Sequence, residues 1–124
     1  MNLTIGEFSH ETGISVHTLR YYEKVNLIHP HRLDNGHRVY DEADISWISF
    51  IKRLKSTSMP ISEIQTYARL REIGDATFEE RMELLIKHRM KLLQEMAVLQ
   101  DNLDNLNQKI DYYQASIVSR VTDA

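Results

Sequence analysis

The sequence predicts a mainly α protein: a small head of short helices with one β-hairpin, then a long C-terminal coiled-coil helix. Three features predict it. Two short helical patterns flank a glycine turn within residues 4–26. An Asn-Gly pair at 35–36 lies between extended runs. Apolar residues then repeat in steps of four and three from 78 to 117, with no Pro or Gly among them. The expected division is a head of residues 1–74 and a coiled-coil helix with a short tail over 75–124.

Thr4-Ile5-Gly6-Glu7 opens the first helix as a capping box, in which Thr4 and Glu7 satisfy each other's backbone donors. Ile5 and Phe8 give it an apolar face, and Gly13 ends it as a left-handed residue. Ser15 caps the second helix, where Val16, Leu19 and the edge of Tyr22 continue at helical spacing. Asn26 is a left-handed stop where glycine is absent. Two short helices around a tight turn are a helix-turn-helix signal, one shared by bundles that bind nothing. The run Arg20-Tyr21-Tyr22 gives it content. Those side chains point at three sides of a short helix, and at most one side can face a core.

Residues 29–41, HPHRLDNGHRVYD, follow as a hairpin about Asn35-Gly36. Arg38 and Tyr40 share one face of its second strand, with Val39 on the other. A surface hairpin with solvated arginines is one reading. Directly after a helix-turn-helix it reads instead as a wing that sets Arg32, Asn35 and Arg38 against a phosphate backbone. The head is then a winged helix-turn-helix.

A third helix begins near Asp41 or Glu42 and carries Ile45, Ile48, Ile51 and Leu54, widened by Trp47 and Phe50. Lys52, Arg53 and Lys55 cluster at its end, where they suit either the helix dipole or a phosphate. Pro60 starts a fourth helix with Ile61, Ile64, Tyr67, Ala68 and Leu70, which Gly74 ends.

From Thr77 onward the pattern is a heptad seam. Phe78, Met82, Leu85, Leu92, Met96, Leu99, Leu103, Leu106, Ile110, Tyr113 and Ile117 fill it, and Arg89 alone interrupts it. About 40 residues of helix extend roughly 60 Å. So small a head cannot bury that stripe, so the expected partner is a second copy, joined from Leu85 to Tyr113. Strand orientation is not in the pattern.

Composition narrows the function. The net charge is −3, with seven Lys/Arg against seven Asp/Glu in residues 1–60 and eight against eleven in 61–124. A nucleic-acid surface must therefore be a local patch in the first half. The chain has no cysteine, which removes disulfides, thiolate metal sites and thiol redox sensing. The six histidines are scattered, with only His88 on the long helix, so no metal or other cofactor is expected. No nucleophile–base pair or phosphate loop points to an enzyme. The opening residues lack a signal peptide and no stretch suits a membrane span, so a cytoplasmic location is expected.

TLRYYE at 18–23, Leu27-Ile28, Pro30, Arg32, Asn35-Gly36, Arg38, Tyr40 and Asp44 resemble the MerR family of bacterial transcription regulators. Ile48, Ile51, Leu54 and SEI at 62–64 extend the match, which covers nearly the whole chain. Three departures occur: Asn26 and Ser58 stand at usual glycines, and His37 at the usual aromatic. The resemblance implies a winged helix-turn-helix head and a last helix that pairs antiparallel with its mate. It implies double-stranded promoter DNA as ligand and RNA polymerase as partner, with control through distortion of an over-long promoter spacer.

On that reading Ser15 opens the recognition helix, and Val16, His17 and Thr18 reach base edges, while Arg20 reaches a base or phosphate. Tyr21 and Tyr22 sit toward phosphates near the operator centre, and packing is the alternative for Tyr22. Gly36, His37 and Tyr40 join the wing contacts, and Lys52, Arg53 and Lys55 complete the set. The tail from Asp75 resembles the aldehyde- or electrophile-responsive subgroup, but Arg53 stands where its cysteine would be. Any effector is unidentified, and a shallow pocket between the coiled coil and the other subunit's head is the expected place. A coiled-coil scaffold would leave the hairpin and the Arg-Tyr-Tyr run without a reason. An excisionase-type architectural protein would not need the long helix.

Overall fold

A computed structural model describes residues 2–123. In chain order the elements are α1 (Ile5–Thr12), α2 (Val16–Lys24), β1 (His31–Arg32), β2 (Arg38–Val39), α3 (Glu42–Ser56), α4 (Ile61–Ile73) and α5 (Phe78–Asp123), with a 3₁₀ turn at Asp75–Thr77. The chain forms two compact units, Met1–Leu84 and Leu85–Ala124.

Local chemistry sets the starts of the head helices. Thr4 and Glu7 form the expected capping box, and the Thr4 N–H bond holds the Glu7 carboxyl below its ordinary range. Asp41 and Asp44 make a second box at α3 that the sequence reading missed. Burial pushes the Asp44 carboxyl up, while bonding to the Asp44 N–H lowers Asp41. Gly13 is left-handed at the end of α1, and Asn26 and Ser58 are left-handed as well, with φ of 65° and 62°.

In the first unit, α1 packs on α2 and α3, and α3 packs on α4. Phe8, Leu19, Leu27, Ile48, Ile51 and Ile64 are fully buried at its centre. Full burial of such a side chain contributes about 1.5–3 kcal/mol. Trp47 is fixed there by its indole N–H, which donates to Leu27 O at 2.8 Å. The hairpin pairs His31 with Val39 and Arg32 with Arg38, and Leu3 adds a bridge to Tyr40. That bridge draws Tyr40 inward, where its ring stacks on Phe8 at 4.1 Å. Burial pushes the Tyr40 hydroxyl up.

The second unit is helical throughout its described residues and belongs to the 46-residue α5. Of the expected seam, Met96, Leu99, Leu103, Leu106, Ile110, Tyr113 and Ile117 are exposed, with Leu99 at 67%; Leu85 and Leu92 are half-buried. Among the described residues, no helix is long and apolar enough to cross a membrane.

Candidate nucleic-acid interface

Ser15 caps α2 by accepting from the Thr18 N–H at 3.1 Å, and its hydroxyl lies 2.9 Å from Thr18 Oγ1. Leu19 and Tyr22 then turn inward and are buried. The opposite face presents His17, Arg20, Tyr21 and Lys24, all exposed, at spacings of three and four. Val16 and Thr18 flank this face half-buried. Its width suits the roughly 12 Å major groove of B-form DNA, which admits one helix. Lys24 was missed in the sequence, although its place seven residues after His17 assigns it to the same face.

Glu23 joins α2 to the wing. Its carboxylate accepts from Arg32 Nη2 at 2.9 and 3.1 Å and from Arg38 Nε at 2.9 Å. Arg32 Nη1 also donates to Gly36 O at 2.8 Å, bracing the turn. The Asn35 side-chain oxygen accepts the His37 N–H at 3.0 Å, and Gly36 takes φ of 84°, so His37 stands exposed at the tip. Arg32 and Arg38 thus orient the hairpin against α2, and their charge is paired with Glu23. Periodicity could not show this, because Glu23 and Arg38 lie fifteen residues apart.

The structure departs from the expected surface at Tyr40, and at Tyr22 it takes the packing alternative. Tyr22 and Tyr40 are core side chains, at 4% and 1% exposure. Tyr22 falls on the inward face of α2, and the ring of Tyr40 is held by Phe8. Tyr21, beside Tyr22 on α2, is exposed. The basic end of α3 is also tied down. Lys52 Nζ donates to Thr12 O at 2.8 Å, closing the end of α1. Lys55 lies over the Tyr22 ring and Arg53 over Phe50. All three remain exposed to solvent. Among the described residues, no cluster of His, Asp and Glu could hold a metal ion.

Residues 3–70 match the MerR HTH family of regulatory proteins, and residues 45–109 match the MerR DNA-binding family. An uncharacterized HTH-type transcriptional regulator of Haemophilus influenzae is 34% identical over 115 residues, covering 92% of this chain and 85% of that protein. The crystal structure of HiNmlR, a MerR family regulator lacking the sensor domain and bound to promoter DNA, superposes with a TM-score of 0.79 at 34% identity, covering 92% of this chain and 91% of that one. A Listeria monocytogenes protein assigned to the MerR family does so with a TM-score of 0.88 at 35% identity, covering 98% and 92%. By the match of residues 3–70 and by these relatives, this chain belongs to the MerR family of helix-turn-helix transcriptional regulators.

Proposed function

We propose that two copies of the chain bind one two-fold promoter site and control initiation by RNA polymerase through distortion of the spacer DNA. One observation carries this reading: an exposed basic and aromatic face on α2 occurs in the same chain as an exposed apolar stripe on α5. A face alone would suit any DNA binder, and a seam alone any scaffold. Together they make a reader whose half-site separation is set by its own dimer. HiNmlR, of similar fold, was solved on promoter DNA.

Residues 1–74 supply the DNA contacts in this reading, and residues 75–124 supply dimerisation. His17 and Arg20 face base edges, while Tyr21, Lys24 and the wing meet phosphates. The protein acts in the cytoplasm as a regulator rather than a catalyst. With no cysteine in the sequence, its control does not pass through thiolate chemistry. Footprinting on the promoter beside its own gene tests the proposal. Protection of a palindrome between two promoter elements, with enhanced cleavage at its centre, is expected. Protection confined to one half-site, or none above non-specific binding, would overturn it.

A further inference from the structure

A cleft of about 470 Å³ opens on the head, and none of its lining residues belongs to α2 or the wing. Ala43, Ser46, Trp47 and Phe50 form its α3 wall, Tyr67 and Arg71 its α4 wall, and Arg81 closes it. The spacings of three and four put each set on one helix face. Tyr67 stacks on Trp47 with centroids 5.9 Å apart and planes 15° apart, and Phe50 lies 5.3 Å from Tyr67. The volume falls within the few hundred Å³ usual for small-molecule sites.

Both charged groups in the cleft are cations. The Arg71 guanidinium lies 4.3 Å from the Trp47 ring centroid, and among the described residues it has no carboxylate partner. Asp44 is near enough to feel its charge but is occupied in the α3 capping box. Arg81 is held by neutral groups, donating from Nε to Thr77 Oγ1 at 3.0 Å and from Nη2 to Gly74 O at 3.0 Å. Its charge is positioned without being neutralised. Cover of Trp47 by Arg71 is worth about 0.5–1 kcal/mol at an exposed site. That explains Arg71 alone. Arg81 is likewise fixed by its bonds to Thr77 and Gly74 and by the Phe78 ring at 4.6 Å, but none of these contacts supplies an anion to a cleft whose charges share one sign.

We propose that this cleft binds a small planar organic anion, an aromatic carboxylate, with its ring against Trp47 and Tyr67. Its carboxylate takes the fork of Arg71, which matches that geometry with two parallel hydrogen bonds. Arg81 adds the second positive charge. The site goes beyond operator recognition and is read without DNA.

Trp47 is the sole tryptophan of the chain, so its fluorescence reports on the cleft directly. The full chain is titrated with benzoate as probe, and with benzamide and inorganic phosphate as controls. Benzoate should give a saturable change, with benzamide and phosphate at least about tenfold weaker. Arg71→Gln, at an exposed position, should weaken benzoate by about tenfold or more, and Arg71→Lys by less. Circular dichroism checks that both variants remain helical. Equal response to benzamide, indifference to Arg71→Gln, or no saturation by about 10 mM would overturn the proposal. Emission that changes only with protein dilution would do so too, assigning the cleft to a contact between copies. A chain that ignores benzoate yet protects its operator sinks this site alone. One that binds benzoate and protects no operator sinks only the regulator reading.

Discussion

Asn26 and Ser58 both hold the left-handed backbone that an L side chain resists, at about 1–2 kcal/mol per residue. Asparagine relieves much of that cost, and serine relieves little. Glycine at either position removes the clash but loses about 0.5–1 kcal/mol to chain entropy. Ser58→Gly should therefore stabilise the protein by about 0.5–1 kcal/mol, and Asn26→Gly should change it by less than about 0.5 kcal/mol. Urea midpoints at one fixed protein concentration decide this, and a larger gain at Asn26 would contradict it. The left-handed stop at Asn26 was legible from sequence because it depends on one residue and its own backbone. Arg20 belongs to the same scale. It stands exposed on the α2 face, so Arg20→Ala should cost about 1–3 kcal/mol of operator affinity and relax preference at one base pair. Binding to a set of single-base operator variants measures it, and a uniform loss across the set would reassign Arg20 to a phosphate.

Among the elements, the wing and α2 act as one piece because Glu23 holds Arg32 and Arg38. Replacing Glu23 by Gln makes the surface more positive, which by charge alone would strengthen DNA binding. Release of the two arginines should instead weaken it, by about 1–2 kcal/mol, because the hairpin loses its orientation. Tighter binding by Glu23→Gln would show that the carboxylate only offsets charge. This junction was hidden from sequence reading for a physical reason. Caps and heptads are set by neighbours within one or two turns, whereas Glu23–Arg38, Lys52–Thr12 and Leu3–Tyr40 join residues fifteen to forty or so apart. Tyr40 shows the consequence. Strand alternation placed it correctly beside Arg38, but only the Leu3 bridge and Phe8 decide that this face turns inward. The aromatic cleft is of the same kind, since its walls come from three helices. The length of α5 and its exposed apolar stripe were legible, because both follow from local spacing. In the proposed dimer, Leu99→Asp would put an unpaired charge into that stripe twice, and loss of the dimer, by about 3–5 kcal/mol, is expected in sedimentation. A dimer that survives this change would place the interface elsewhere.

For the whole molecule, the proposed reader is a dimer whose two identical heads are joined through their long helices. Such a reader would be indifferent to neither the distance nor the phase of its half-sites, since two joined heads must both reach the same face of the DNA. Spacer distortion would use the same joining of the heads, since bending DNA by tens of degrees costs about 1–6 kcal/mol, which contacts at both ends must supply. The direct measurement is affinity for the protected operator before and after about 5 bp, half a helical turn, are inserted at its dyad. A homodimeric reader loses about 100-fold or more, falling toward non-specific binding. Affinity unchanged by the insertion would mean that each head binds alone, and that the long helix does not set the operator.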